Sequence, residues 1–245
     1  MAGLAGTPIL SWIDIYSSDT TVPSGYQVGM LMEGPDGKAF RYALAGELLV
    51  VGDINQSSVV DAQFDDMAVA TNTAIGSATL PLTNGTTAVL ANQYDGGTAE
   101  VSVTPGLGDE YTILGHTNPI SGAAFTLTLD RTVRTAVTSA ASKVTVRRSP
   151  WSGIIKCPTT LTGTVAGVTV FAVPSASYGW VQTKGVAAVL ADSSTGVVGS
   201  DVGVPGASAG AVGVNIAGSG KSNSVGRAMR ALASGKTVPV YLCID

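Results

Sequence analysis

The chain has 245 residues, of which 45% are apolar and only 12% charged, with mean hydropathy +0.34, formal net charge −4 and a pI near 4.9. That length holds one large β domain or two smaller ones without stapling bonds, because roughly 70% of the unfolded surface can be buried. Soluble monomers carry about 25% charged residues, so the composition argues against an isolated monomer and for an exterior covered by other molecules, charge being depleted at interface centres.

The 13 Lys and Arg residues are scattered, densest at Arg147-Arg148 and at Arg227 with Arg230. No basic stripe interleaved with aromatics marks a nucleic-acid partner. Met1 to Thr7 lacks the basic and apolar regions of a signal peptide. The weakly polar region 185–220 is interrupted by Asp192, Asp201, Pro205 and repeated Gly, so no spanning helix is expected. The reading is a product made in the cytoplasm, with no membrane partner and with Cys157 and Cys243 as buried free thiols.

In chain order, residues 1–30 alternate turn signals with short apolar pieces such as Ile9 to Tyr16, an arm suited to an edge or to a neighbouring molecule. Gly34-Pro35-Asp36-Gly37 is a turn joining a strand at Tyr26 to Met32 with one at Ala39 to Leu44. Gly46 to Asp53 reads as a further short strand, and Ala62 to Ala70 as a short helix or an extended link. From Ile75 to Val146 the texture changes. Ala78 to Leu82, Ala99 to Val103, Glu110 to Leu114, Ala124 to Leu129 and Lys143 to Val146 alternate Thr or charge with aliphatics, as half-buried antiparallel strands do. Turn chemistry separates them at Asn84-Gly85, Asp95-Gly96-Gly97, Pro105 to Asp109 and Asn118-Pro119.

The last hundred residues return to Gly and Val. Thr159 to Val173 supplies a strand. Tyr178 to Leu190 reads as a strand, a kink at Gly185 and a second strand. Gly196 to Ala217 is turn-rich without helical period, and Val225 to Leu232 is a short helix or an edge strand. Val238 to Ile244 closes the chain as a strand with Pro239 near its start. The expected fold class is all-β: antiparallel sandwich-like or barrel-like sheets with very little helix and an inserted small β module. Its divisions are 1–65 (arm and first strands of the main domain), 66–148 (inserted module) and 149–245 (strands completing the main domain).

Chemistry-bearing motifs are weak. Gly206-Ala207-Ser208-Ala209-Gly210 spells a nucleophile elbow, yet no helix pattern follows it and the chain's one His, His116, precedes it. Gly218-Ser219-Gly220-Lys221-Ser222 resembles the tail of a phosphate-binding loop but has Asn215 where the first Gly is required. His116 lacks a second His or a nearby Cys to complete a metal set. Asp65-Asp66 and Asp109-Glu110 read as solvated carboxylates in connections. No catalytic residue, cofactor site or metal site is therefore expected. Trp12, Trp151 and Trp180 remain as candidate anchors, for core packing or for subunit contact.

The segments Phe40 to Gly46, Ala91 to Gly97, Gly108 to Tyr111, Pro158 to Gly163, Gly179 to Gly185 and Val225 to Ala228 together resemble a group of tailed-bacteriophage virion proteins. The likeness covers most of the chain, and its motifs are structural. It implies a head-associated decoration or cement protein on the outside of the capsid, with the major capsid protein as partner and localisation to the virion. By analogy with decoration proteins at local threefold axes, a homotrimer is expected. The other reading is a tail or head fibre that binds host glycan through loops such as Asp95 to Gly97.

Overall fold

Aliphatic residues at every second position, with Thr or Ser between and Gly at the turns, leave the backbone little choice but paired strands. The computed structural model describes residues 14–192, 196–204, 206–215 and 223–245. Residues 1–13 of the N-terminal arm, Trp12 among them, and the Gly218 to Ser222 motif lie outside them. In chain order the strands are β1 Ser18–Asp19, β2 Leu31–Glu33, β3 Ala39–Ala45, β4 Ile54–Gln56, β5 Met67–Ala68, β6 Thr79–Thr83, β7 Thr98–Val103, β8 Glu110–His116 and β9 Ala124–Leu129. They continue as β10 Lys143–Arg147, β11 Ser152–Lys156, β12 Val165–Thr169, β13 Tyr178–Ala191, β14 Asp201–Val204, β15 Gly213–Val214, β16 Asn223–Ala228 and β17 Lys236–Cys243. Short 3-10 turns at Asp14–Tyr16 and Ala62–Phe64 are the helical content among the described residues. The fold is all-β, with a large mixed sheet and a second, nearly closed antiparallel sheet.

The chain divides into two compact units, one formed by the segments up to Val59 and from Pro150, the other by Val60–Ser149. In the first unit, β13 is the shared member of two rings of strands. Its first half pairs with β3 on one edge and β12 on the other, and β12, β4, β11 and β3 complete a ring through successive pairings. The β11–β3 pair is parallel, the others antiparallel. Its second half pairs with β17 from Lys184↔Cys243 to Ala191↔Lys236, and β17 leads through β16 and β14 to β15. The second ring closes where Val212 N–H donates to Leu190 O at 2.8 Å and Asp192 N–H donates to Val212 O at 3.1 Å.

Burial along β13 records this change of partners. Gly179 to Thr183 are all buried, whereas from Lys184 to Val189 exposed and buried residues alternate. Val181 joins Ala43, Ile154 and Ala166 in one core, while Trp180 packs with Phe40, Tyr42, Met32 and Ile15 in another. A sheet covered on both faces reads as continuously buried; one covered on a single face alternates. The switch occurs at Gly185, φ +84°, beside a register shift between Gln182 and Lys184. The buried Gln182 amide donates to Lys184 O at 2.9 Å and Val186 O at 3.0 Å, satisfying carbonyls that the bend takes out of regular pairing.

The second unit runs β5–β10–β7–β8–β9–β6, and its ends meet through an antiparallel bridge Val69↔Leu82, with Ala70 N–H donating to Pro81 O at 2.9 Å. Leu80, Leu82, Val101, Ile113, Phe125 and Leu127 are among the buried residues of its interior. Every Thr/aliphatic alternation expected between Ile75 and Val146 is a strand here.

Several local expectations need correction. Gly46 to Asp53 is a loop rather than a strand, with a single β-bridge at Leu49↔Val173 and separate backbone hydrogen bonds to β11, β12 and β13. Only Leu31–Glu33 pairs in the Tyr26 to Met32 stretch, because Tyr26 and Met30 are used in turns. Val225 to Leu232 is neither helix nor edge: β16 lies between β14 and β17. Pro239 sits within β17, where β16 has ended at the Ala228↔Val240 pair, so its missing N–H leaves no ladder partner unmet. Gly185 does not separate two strands but bends one.

Replacing Gly185 by Ala tests that bend. A Cβ would stand 2.9 Å from Lys38 Cγ at a φ that disfavours side chains, so chemical denaturation should show a loss of about 1–2 kcal/mol. An unchanged midpoint would mean that the bend does not require glycine.

Candidate functional site

The exposed side of the second ring carries apolar side chains along paired strands. Alternation in the second half of β13 turns Lys184, Val186 and Ala188 outward. The β13–β17 register places Cys243, Tyr241 and Pro239 beside them in that order, and Arg227 of β16 lies next to Tyr241. Met229 N–H donates to Pro239 O at 2.9 Å, adding a side chain that is 50% exposed to Tyr241 at 46% and Val186 at 38%. The 46–53 loop reaches the same region: Gly52 O accepts from Leu190 N–H at 2.8 Å, and Gly52 packs against Thr237 Cγ2. Leu48, Val50 and Val51 on that loop are exposed. Lone exposed aliphatics are ordinary, but a run of them along adjacent strands marks a face for another molecule.

The tryptophans divide between roles. Trp180 is 1% exposed, edge-on to Tyr42 at 5.1 Å and Tyr26 at 5.9 Å between ring centroids. It packs within the chain and presents nothing outward. Trp151 is half-buried; its Nε1–H donates to Ala166 O at 3.2 Å, and the Arg41 guanidinium covers its ring at 4.6 Å. Arg41 Nε is held in turn by Asp245 Oδ2 at 2.6 Å. Of the expected anchors, Trp151 alone among the described residues keeps an exposed edge.

The motif residues take structural positions. Ser208 is exposed in a turn between β14 and β15, its N–H donating to Asp192 Oδ2 at 3.0 Å, and the chain after it enters a strand rather than the helix that an elbow requires. His116 ends β8 rather than lying in a loop, and its side chain is buried. Nδ1 stands 2.8 Å from Thr117 O, and Nε2 accepts from Tyr94 N–H at 3.0 Å, which fixes a neutral ring with its proton on Nδ1. Asp65 pairs with Arg147 and Asp109 with Arg134, while Asp66 accepts from Ser102 Oγ at 2.6 Å. Tyr94, the one aromatic near the Asp95 to Gly97 loop that could stack on a sugar, is buried.

Cys157 is buried, its thiol pushed up to about 12 by burial. Cys243, expected buried, is exposed on β17. Among the described residues no group of three or more His, Cys, Asp or Glu is placed to hold a metal ion, and no helix is long and apolar enough to cross a membrane.

One polar grouping escapes any motif. Pairing of β4 with β11 brings Asp53 and Lys156 together, with Glu47 beside Lys156. Their distance along the chain, on either side of the second unit, leaves no spacing by which the sequence could announce them. Comparison with protein-family models, with curated proteins and with solved structures finds no match.

In the second unit, Asp95 Oδ1 is buried without a hydrogen-bond partner, 3.6 Å from His116 Nε2, which has no proton to offer it because it accepts from Tyr94 N–H. Burial raises the Asp95 carboxyl above its usual 3.8, a shift that only a protonated His116 would oppose. The folded state thus holds that proton more tightly than the unfolded one. The resulting stability is complete below the unfolded pKa and is lost as pH rises through the raised folded value. Asp95→Asn should therefore gain in Tm over the parent as pH rises from about 3 to about 6, in paired thermal melts. A difference that shrinks over that range would contradict the assignment.

Proposed function

We propose that the chain is a non-enzymatic structural subunit of a virion, a decoration or cement protein that binds the outer surface of a phage capsid as a homotrimer. Its principal partner is the major capsid protein. The observation that carries this reading is the outward face of β13 and β17, where Val186, Tyr241 and Met229 stand exposed beside a half-buried Pro239, with Lys184 and Arg227 at its margins. A face with apolar residues at its centre and charge at its rim has the anatomy of a protein interface. The rigidity of closed strand rings suits a part that must hold its shape while shell subunits strain against it, since a ring leaves few free edges to slip. The resemblance of Phe40 to Gly46 and Gly179 to Gly185 to tailed-phage virion proteins points the same way.

Sedimentation of the purified chain, alone and with empty capsids, tests the reading. The parent should self-associate and pellet saturably with capsids, burying on the order of 2,000 Å² per contact. Tyr241→Glu together with Val186→Lys should weaken both by about thirtyfold or more, the loss of a hot spot worth about 2 kcal/mol, with an unchanged Tm. A parent that remains a single subunit at high concentration and ignores capsids would overturn it.

A further inference from the structure

Lys156 ends β11 and Asp53 immediately precedes β4, and the antiparallel register sets Lys156 opposite Asn55. The Lys156 side chain therefore reaches diagonally to Asp53, with Nζ 3.4 Å from Oδ2. Asp53 is 5% exposed, and its Oδ2 has no hydrogen-bond partner: the ammonium is close but does not meet the oxygen in hydrogen-bond geometry. Buried polar groups normally find a partner; the amide nitrogens of Asn55 and Gln56 next to it are bonded at 2.7 Å to Thr169 Oγ1 and Thr162 Oγ1, and although Asn55 Oδ1 is also unpartnered, Asp53 is the one of the three with an amine beside its carboxyl.

The two residues are held rigidly. Asp53 N–H donates to Val50 O at 3.1 Å, and Asp53 O accepts from Thr169 N–H at 3.0 Å. Lys156 N–H donates to Glu47 Oε1 at 2.7 Å. Gly210, φ +76°, lies directly over the pair: a Cβ there would stand 2.7 Å from Lys156 Cδ and 2.8 Å from Asp53 Cγ. Its N–H donates to Cys157 O at 2.8 Å, and its carbonyl accepts from Ile54 N–H at 2.9 Å, so bare backbone is fixed as a lid on the carboxyl. Burial disfavours the carboxylate form of Asp53 and the nearby Glu47 charge adds to this, while Lys156 opposes both. An amine within van der Waals reach of a dry, fixed and readily protonated carboxyl is the arrangement in which amide formation gains from effective molarities of about 10⁵ M or more.

We propose that Lys156 and Asp53 condense into an intramolecular isopeptide bond, with Glu47 as a positioning residue. The ammonium first gives one proton to the Asp53 carboxylate, leaving a neutral amine and a neutral acid. The Nζ lone pair then attacks Cγ, and the C–O bond to the hydroxyl breaks. A second proton passes from nitrogen to the departing oxygen, which leaves as water, and the third stays on the amide nitrogen. No oxidant or co-reactant is needed. Glu47 acts by anchoring the Lys156 backbone and by favouring the protonated acid. The bond staples β4 to β11 and closes a covalent loop around Val60–Ser149, so tension along the chain bypasses the second unit. This inference is independent of the capsid reading, since it concerns one chain.

Intact-mass measurement of the purified full chain, denatured after incubation near neutral and mildly acidic pH, decides the matter. The parent should be lighter than its sequence by one water, and a digest should yield a branched peptide joining the segments that hold Asp53 and Lys156. Asp53→Ala and Lys156→Arg should each restore the full mass. Glu47→Gln keeps an acceptor for the Lys156 N–H but removes the charge, so it should slow bond formation at least tenfold and alter its pH profile, which a purely structural contact would not do. A parent that is folded by circular dichroism yet retains its full mass would overturn the proposal, whatever the variants do. A lost water that persists in Lys156→Arg would overturn it equally.

Discussion

A β-strand has two edges, and the architecture of the first unit depends on β13 spending them differently along its length. Tyr178 to Gln182 pair with β3 and β12; Lys184 to Ala191 pair with β17, and the far end meets Val212. Two small rings thus share one strand, and neither closes without it. Such sharing requires a change of direction, supplied by glycine conformation at Gly185, and a substitute for the backbone pairing lost there, supplied by the Gln182 amide. Thr183, wholly buried at the same place, turns its hydroxyl to Ala39 O at 3.4 Å. Gln182, Thr183 and Gly185, which look like an ordinary polar break in sequence, are the joint of the unit.

The joint also explains where polar side chains are tolerated inside. Asn55 spreads its amide over Asp53 O, Gly167 O and Thr169 Oγ1. Gln56 exchanges two hydrogen bonds with Thr162. The Tyr42 hydroxyl, at the centre of the aromatic cluster, donates to Asp19 Oδ2 at 2.9 Å. Each of these groups gains partners that offset its removal from water. Asn55 Oδ1 is left without a partner too, but Asp53 has a carboxyl faced by the misaligned Lys156 amine, and that pairing of groups is what makes the arrangement a reactive one. A buried ion pair lacking further hydrogen bonds contributes little to stability, so stability alone gives no reason to keep it.

Much of the fold was legible because burial on one face imposes a period of two. Ala124 to Leu129 and Lys143 to Val146 could be read as strands from Thr alternating with Leu, Phe or Val, and the structure places them so. What could not be read was partner choice. The parallel contact of β11 with β3 and the interior position of β16 depend on pairings between distant segments, which no local pattern encodes. Gly46 to Asp53 failed for a related reason: Leu48, Val50 and Val51 have strand-like side chains, but the one edge available to them takes only Leu49. The site was less legible still. Trp180 was visible as a large residue but not as a fully enclosed one, and Asp53 and Lys156 are neighbours only because β4 and β11 are.

Composition and structure bear on the exterior in different ways. A 12% charged content describes an average and says nothing of where the deficit falls. In the second unit most of the exposed aliphatics, among them Ile75, Leu90, Leu107 and Ile120, lie between strands, and the two on strands, Val103 and Leu114, fall beyond opposite ends of the β7–β8 register, so they stand singly and carry little meaning. In the first unit Val186, Pro239 and Tyr241 stand on two paired strands, and hydrogen bonding holds Met229 and the 46–53 loop alongside them. Strand pairing fixes those side chains in one plane with little rotamer freedom left to lose, which lowers the entropy cost of covering them. Among the described residues of the first unit, it is on the outward side of β13 and β17 that exposed apolar side chains are ordered along paired strands.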